Sequence, residues 1–452
     1  MLKMLRDKEF LKKFLKVSLP VMIHSLILFI VSLVDNIMVG SVSNEAVEGV
    51  YAASQATYIL MIASYGVLVG AGVYIQQFNG ANDKEHLKQS FRYKFVVMTL
   101  FLVVAITIYY IFGDDLVWFY CKSDENAQEI FELGKSYLYI VILSYIPFCI
   151  SIIYTTTVRE VGMTKYALIA GCVAFGLNTL LNAILIYVFD MGVIGAAIAT
   201  LIARIAELVV IFVICRIKKF DFCENLFKEF KIDKDLFKSI TKKGTVFLFN
   251  ELFWVMGMTL LSLAYAQRDG VLGALSVVNT IGNVFNILFQ GLSIGIGVLV
   301  GSYLGRSDFE NARRYTKNVY LLGLLASLIF GILIILFSPI IPSMFSEVEP
   351  SQKALATQML VIYGLLLWCS CIYMCCYMTL KTGGEALVTF FIDSGIMWAI
   401  CVPLAWILVT KTSLSLLYIY PIIIGIDLIK FFIGICFVKR GKWMKNLTLQ
   451  TE

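Results

Sequence analysis

Twelve apolar runs, each long enough to cross a lipid bilayer, constrain the fold of this chain more than any other feature. A helix needs about 20 apolar residues to span a hydrocarbon core of about 30 Å. A spanning segment must also satisfy its own backbone hydrogen bonds, so the runs predict an all-α integral membrane protein. They lie at 17–40, 50–78, 93–112, 137–157, 166–189, 193–215, 245–266, 272–304, 316–341, 356–380, 386–409 and 414–438.

The composition excludes the soluble classes of protein. Hydrophobic residues make up 60% of the 452 residues, and charged residues only 15%. A soluble domain carries about 25% charged residues, and a single core stops growing at roughly 250–300 residues. No phosphate-binding loop, nucleophile elbow or zinc-protease motif stands out, so we expect no enzymatic activity.

The sequence also offers no ordinary cofactor or metal site. Most of the 11 Cys lie inside apolar runs, where Cys behaves as a small hydrophobe, and two His supply few ligands. We therefore expect neither a cofactor nor a structural metal.

The basic residues predict the orientation in the membrane. Of the 37 Lys and Arg, 30 fall in alternate loops counted from the N-terminus and only 5 in the other loops. Basic loops stay in the cytoplasm, so both termini are expected there, in the plasma membrane. The net charge of +6 therefore needs no nucleic-acid partner. The predicted organisation is a cytoplasmic amphipathic N-terminus (1–16), an N-lobe (17–215), a cytoplasmic linker (216–243), a C-lobe (244–438) and a cytoplasmic tail (439–452).

An internal repeat relates the two lobes. Residues 66–85 align without gaps on 291–310, with seven identities that include Gly70 with Gly295 and Asp83 with Asp308. One repeat therefore holds six helices, and both copies enter the membrane with the same polarity. Parallel repeats of this kind occur in transporters that move two bundles around a central site. The predicted architecture is thus two parallel six-helix lobes around a central cavity.

Ionisable groups inside the spans are the candidate functional residues, because a charge at the bilayer centre costs at least about 2.5–3.5 kcal/mol. Asp35 and Glu251 have no basic residue nearby in sequence, and Asp393 lies in the eleventh span. Such a carboxylate can carry a proton or bind Na⁺. Asn178 and Asn182, four residues apart on one helix face, could add neutral oxygens.

Local spacing suggests self-neutralising pairs for the remaining intramembrane charges. Arg204 is three residues from Glu207, and Lys430 is three residues from Asp427. His24 is expected to be a hydrogen-bonded packing residue. The aromatic and Met side chains of spans 7 and 10, among them Tyr373, are expected mostly to pack, with a subset available to contact flat organic cations.

Several motifs resemble those of the multidrug and toxic compound extrusion (MATE) family, in its bacterial form. They are LVDNIMVG around Asp35, VGAGVYIQQFNGAND, the NE of FNELFW, GVIGAAIATLIAR at 192–204 and LKTGGEALVTFFIDSGIMWAICVPLAW at 380–406. The resemblance covers nearly the whole chain. It implies an efflux antiporter that exports organic cations in exchange for H⁺ or Na⁺, and we expect a monomer.

The resemblance also implies roles for particular residues. Asp35 matches the carboxylate of the family's first helix, and Asn178 and Thr200 match its N-lobe cation site. Glu251 matches the C-lobe site, to which Asn250 could add an oxygen. Asn182 stands where part of the family has a second Asp. Span 10 (356–380) contains no acidic residue, unlike some members. Na⁺ could therefore bind at Asp35, Asn178 and Asn182, or at Glu251.

Two other functions stay open from the sequence. A lipid-linked glycan flippase of the same superfamily would line its cavity with several basic residues, but within the predicted spans only Arg204 and Lys430 stand apart from the span ends. A membrane receptor or scaffold that transports nothing would need neither the duplicated unit nor unpaired intramembrane carboxylates.

Overall fold

The structure is a computed structural model that describes residues 7–122, 126–224, 226, 228, 230–268, 270–345 and 348–450. Within these ranges the chain is helical and holds twelve helices that are long and apolar enough to cross a membrane. They are α1 (Lys8–Gly40), α2 (Asn44–Ala81), α3 (Lys84–Cys121), α4 (Ala127–Glu160), α5 (Thr164–Val188), α6 (Gly192–Ile217), α7 (Lys234–Tyr265), α8 (Leu272–Gly305), α9 (Phe309–Phe337), α10 (Pro350–Thr382), α11 (Ala386–Lys411) and α12 (Leu416–Lys439).

The predicted fold class and the twelve predicted spans are confirmed, but most helices extend beyond their apolar runs. The clearest case is α7, which begins at Lys234, ten residues inside the predicted linker 216–243. Parts of the predicted N-terminus, linker and tail (1–6, 225, 227, 229 and 451–452) lie outside the described residues. Positions 123–125 of the predicted loop between spans 3 and 4 do so as well.

By its internal contacts the chain forms two compact units. We call residues 19–248 the N-unit and the described residues of 1–18 and 249–450 the C-unit. Two helices therefore contribute to both units. The start of α1 belongs to the C-unit and the rest of it to the N-unit, whereas α7 begins in the N-unit and ends in the C-unit.

Within the N-unit, the stretch that follows α6 is fixed to α3 by one buried arginine. The Arg92 guanidinium donates hydrogen bonds to the backbone carbonyls of Leu226, Lys228 and Lys231, at 2.9, 3.2 and 3.0 Å. The backbone N–H of Asp233 donates to the side chain of Gln89 at 2.8 Å. The described part of the linker is thus an ordered component of the N-unit.

Within the C-unit, the start of α1 completes the apolar core. Phe10 and Phe14 are buried and belong to one cluster with side chains from α7 to α12. Phe10 also packs edge-on against Tyr315 of α9, with ring centroids 5.4 Å apart. Two aromatic side chains of the predicted amphipathic N-terminus, Phe10 and Phe14, are therefore covered by protein.

The sequence repeat corresponds to a structural repeat, because the turns after α2 and after α8 have the same backbone conformation. Asn82 and Ser307 are left-handed, with φ of 59° and 57°. The residue that follows each one, Asp83 or Asp308, accepts a hydrogen bond from a backbone N–H of the next helix at 3.1 Å. Hydrogen bonds from Asn311 hold the pKa of Asp308 below its usual range. The acidic cap explains why the sequence repeats Asp here.

The repeated glycines permit close packing of helix on helix. A Cβ added at Gly70 of α2 would lie 2.4 Å from Gly244 Cα of α7, inside the N-unit. A Cβ at Gly295, its counterpart in the repeat, would lie 2.3 Å from the Phe14 ring of α1, inside the C-unit. In each unit the glycine thus admits the initial segment of α7 or α1 against its surface.

One buried ion pair was not predicted, because Lys94 lies at the edge of the third apolar run (93–112), beside the basic residues of the preceding loop. Its ammonium group is fully buried in α3 and lies 2.6 Å from Glu160 Oε2 of α4. It also donates to the hydroxyls of Thr156 and Thr157, both at 3.0 Å. The carboxylate is packed against α2, where a Cβ added at Gly72 would lie 2.3 Å from Glu160 Oε1.

Candidate functional site

The N-unit brings together the predicted residues of α1 and α5. The Asn182 amide donates to Asp35 Oδ1 at 2.7 Å and makes a longer contact of 3.5 Å to Asn178 Oδ1. Both asparagines are buried, and Asn182 is only 1% exposed. Asn182 is the last residue before a π-helical turn, Ala183–Val188, that ends α5. Such turns frequently occur at functional sites.

Asp35 and Asn178 line a cavity of about 80 Å³ inside the N-unit. Thr200 of α6 lies on the same wall, and its hydroxyl donates to the Ala196 carbonyl at 3.0 Å. A buried water needs about 10–15 Å³ of such space, whereas drug-sized ligands occupy pockets of about 300–1,000 Å³. The size therefore suits an ion with a few waters.

No Lys, Arg or His nitrogen of the described residues lies within 4 Å of the Asp35 carboxylate, and Arg204 acts on it only from a greater distance. The nearby Arg204, which lines the same cavity, instead forms an ion pair with Glu207 at 2.8 Å. The predicted Arg204–Glu207 pair is thus confirmed. The guanidinium also lies over the Phe148 ring, 4.9 Å from its centroid.

His24 lines the opposite end of this cavity and is held by polar contact, as expected of a packing residue. Its Nδ1 lies 3.1 Å from the Arg159 guanidinium, so a neutral ring that accepts this hydrogen bond fits the site. A Cβ added at Gly171 would lie 2.5 Å from the imidazole. The ring therefore has little freedom to turn away from Arg159.

One polar atom of the N-unit cluster is buried without a partner. Asn182 donates through its nitrogen, and its Oδ1 accepts no hydrogen bond. A buried carbonyl oxygen that is left unsatisfied costs about 1–3 kcal/mol. Together with the oxygens of Asp35 and Asn178, this oxygen belongs to the hard-ligand chemistry that binds Na⁺ or a hydrated proton.

The C-unit corrects the expectation for Glu251, because α10 supplies a cation that is distant in sequence. Lys381 Nζ lies 2.9 Å from Glu251 Oε1. The same amine lies 3.4 Å from the Tyr377 hydroxyl. Glu251 is therefore an ion-paired carboxylate and not an isolated one.

Asn250 also differs from expectation, since its oxygen does not join Glu251. The Asn250 amide donates to Asp393 Oδ2 at 3.1 Å and to the Tyr377 hydroxyl at 3.0 Å. Its Oδ1 accepts from the Ser394 hydroxyl at 2.7 Å. Asn250 is 1% exposed. It thus connects Asp393, rather than Glu251, to the wall formed by α10.

Asp393 is the centre of the second cluster, in a π-helical turn of α11 (Phe391–Gly395). The Tyr373 hydroxyl donates to its Oδ1 at 2.6 Å, and Lys430 Nζ lies 3.6 Å from the same oxygen. Lys430 therefore makes its close ion pair with Asp393 and not, as the spacing had predicted, with Asp427, although Asp427 still lies within its electrostatic reach. Asp427 instead accepts a hydrogen bond from the Ser370 hydroxyl at 2.7 Å.

Sequence reasoning missed three members of the C-unit cluster, although a signal for them was present. Tyr373, Tyr377 and Lys381 are spaced by four residues and therefore share one face of α10. Both tyrosines are buried, and each carries a lysine over its ring at 5.2 Å. Tyr373, expected to be a packing or lipid-facing residue, has a functional hydroxyl contact as well.

Twelve spanning helices in two repeated units, each with buried polar groups inside its spans, define a membrane transporter built by duplication. A family model described as MatE matches residues 20–184 and 246–407. A protein of Thermotoga maritima named "Probable multidrug resistance protein NorM" is 24% identical over 466 residues, covering 98% of this chain and 95% of that one.

Two further comparisons extend along nearly the full length. "Probable multidrug resistance protein YoeA" of Bacillus subtilis is 23% identical and covers 95% of this chain and 94% of that protein. A crystal structure of MATE in the bent conformation has a TM-score of 0.87 at 19% identity, covering 97% of both chains. The chain belongs to the MATE family of membrane transporters, which are not enzymes.

Proposed function

We propose that the chain is a secondary active exporter of organic cations, driven by the exchange of H⁺ or Na⁺ at the Asp35 cluster. The observation that carries the proposal is a carboxylate in a candidate membrane span with no basic nitrogen of the described residues within 4 Å, beside the unpartnered oxygen of Asn182. Arg204 acts on Asp35 only from a greater distance and is itself paired with Glu207. A carboxylate inside the bilayer needs a positive partner. A mobile ion and a cationic cargo can provide that positive charge alternately. The relatives named as probable multidrug resistance proteins support the export of drug-like molecules.

The Asp35 cluster can bind and release one positive charge. With H⁺, Asp35 alternates between a carboxylate that accepts from Asn182 and a neutral acid. With Na⁺, the oxygens of Asp35, Asn178 and Asn182 act as ligands after the Asn182 amide rotates and turns its oxygen inward. Removal of either ion leaves a charge that the low-dielectric surroundings disfavour, and this links ion release to a change of conformation.

The flippase alternative is less well supported by the charges of the described spans. Four basic residues within the helices lie 2.6–3.6 Å from a carboxylate and are thereby neutralised: Lys94, Arg204, Lys381 and Lys430. An anionic headgroup would have to displace these carboxylates.

The excess of basic residues in alternate loops supports an orientation in the plasma membrane with both termini on the cytoplasmic side.

Transport in proteoliposomes tests the proposal. A quaternary-ammonium dye is loaded, and either a pH gradient in choline medium or a Na⁺ gradient at uniform pH is imposed. We expect one gradient to drive dye movement in the wild type and neither to do so in Asp35→Asn. The matched control is Asp114→Asn, which removes a half-exposed carboxylate paired with Lys135 at 2.6 Å. Wild-type vesicles that respond to neither gradient would refute the proposal.

A third variant separates the two ions. Asn182→Leu removes the amide oxygen but keeps the Asp35 carboxylate. Transport driven by Na⁺ should then fall more than tenfold, because the ion loses a ligand, whereas transport driven by H⁺ should persist. Equal losses with both gradients would assign Asn182 to the support of the helix packing.

A further inference from the structure

The C-unit cluster contains two positive charges that belong to the protein itself. Lys381 pairs with Glu251, and Lys430 lies beside Asp393. Each amine also lies over the ring of a tyrosine from α10. The N-unit cluster contrasts with this arrangement, because Asp35 is held by the neutral amide of Asn182.

Lys430 is buried well inside the twelfth candidate span and does not reach water as a surface lysine does. It lies nine residues before the end of α12, or about 13 Å along the helix axis at 1.5 Å per residue. The residue is 3% exposed, and Asp393 is 9% exposed. A buried ammonium group and a buried carboxylate at 3.6 Å stabilise each other's charged form.

The groups around Asp393 already engage the oxygens that would otherwise coordinate a metal ion. Oδ1 is engaged by the Tyr373 hydroxyl and Lys430, and Oδ2 is engaged by the Asn250 amide. The Asn250 oxygen, which could otherwise bind a cation, accepts from Ser394. The Tyr373 hydroxyl, the Asn250 amide and Lys430 thus present hydrogen or positive charge to the carboxylate.

Two other titratable groups lie near Lys430, and the carboxylate among them, Asp427, also interacts electrostatically with the amine and with Asp393. Asp427, on the same helix, accepts from Ser370, and Cys401 of α11 lies within the electrostatic reach of the amine. A second cation placed beside Asp393 would be repelled by Lys430 at a distance where the interior screens poorly.

We propose that Lys430 is a built-in counter-cation for Asp393, that it takes the place of an exchangeable Na⁺, and that the C-unit therefore binds no sodium. The last consequence rests on the proposed function, because it assigns all ion exchange to the Asp35 cluster. In the absence of the amine, Asp393 keeps the ligand set of a monovalent-cation site: its own oxygens, the Tyr373 hydroxyl and, after rotation, the Asn250 oxygen.

Thermal unfolding of the purified full-length protein tests the inference without any transport measurement. The background is Asp35→Asn, which silences the N-unit cluster, and NaCl is exchanged for choline chloride at constant ionic strength. We expect the Tm of D35N to be independent of Na⁺. Addition of Lys430→Met should create a Tm that rises by several degrees as Na⁺ rises, because an ion that binds only the folded state stabilises it.

Two further variants complete the design. Asp393→Asn, added to D35N/K430M, should abolish the new Na⁺ dependence, and Lys430→Arg, which keeps the charge, should not create one. A Na⁺-dependent Tm in D35N itself would overturn the inference, whether or not the Lys430 variants fold. A folded D35N/K430M protein that ignores Na⁺ would overturn it as well.

The failure of the inference and that of the proposed function are distinguishable. Coupled efflux is measured on the wild type in vesicles, whereas the Na⁺ shift is measured on detergent-solubilised variants. A wild type without coupled efflux, combined with the expected shift in D35N/K430M, would refute the exporter and leave the counter-cation in place.

Discussion

Removal of the buried Lys94 amine should destabilise the N-unit strongly, and the structure allows the loss to be estimated. In Lys94→Met, the Glu160 carboxylate of α4 keeps its position against α2 and α3 but loses its cation and a hydrogen bond of 2.6 Å. Breaking a buried ion pair by removing one partner costs about 3–5 kcal/mol. For a unit of this size, 1 kcal/mol shifts the Tm by roughly 2–4 °C. We therefore expect Tm to fall by roughly 6–20 °C.

The double variant gives the decisive comparison. Lys94→Met with Glu160→Gln leaves no uncompensated charge, so Tm should recover to within roughly 4 °C of the wild type. The control is Lys84→Met on the same helix, whose exposed pair with Asp221 at 3.1 Å should contribute little. Unfolding is followed by the fluorescence of a fused reporter during gel filtration after heating. Equal Tm values for K94M and the double variant would refute the assignment of the loss to the unpaired carboxylate.

Three further predictions concern topology, packing and the C-unit. A cysteine at Lys219 should react with an impermeant maleimide only from the cytoplasm, and one at Lys122 only from outside; labelling of both from one side would contradict the orientation. Gly295→Leu should lower Tm by several degrees, because the leucine side chain would overlap the Phe14 ring. An unchanged Tm would mean that α1 can move away from α8 at no cost. Tyr373→Phe should cost about 1–3 kcal/mol in chemical denaturation, and a smaller loss would show that the 2.6 Å hydrogen bond to the Asp393 carboxylate is replaced by water.

The sequence predicted the helices well because a bilayer imposes a local requirement, the length of an apolar run. It could not show that the start of α1 packs in the C-unit and the start of α7 in the N-unit, because that depends on contacts between distant segments. The repeated glycines, Gly70 and Gly295, indicated where helices pack closely. The residues that they contact, Gly244 and Phe14, could be identified only from the structure.

The two clusters were predictable to different degrees. Asp35 and Asn182 are 147 residues apart and were grouped through the family resemblance alone. Lys381 was assigned to a loop because hydropathy ends span 10 at 380, whereas α10 ends at Thr382.

The pairing of Lys430 failed for a different reason. The rule of three-residue spacing applies within one helix, and Asp393 competes from α11. The π-helical turn at Phe391–Gly395 also shifts the helical period on which assignments of helix faces depend.

The division of α1 and α7 between the two units has a consequence for the ancestry of the chain. A cut between α6 and α7 would yield two six-helix polypeptides, and neither would contain all the residues of one compact unit. Each would lack the short helical segment that the other supplies, 8–18 in one case and 234–248 in the other. A single-copy ancestor with the same packing would thus have been an obligate dimer that exchanged the beginnings of its first helices. Fusion of two genes would then have made a reversible exchange permanent and allowed one copy to acquire lysines that the other lacks.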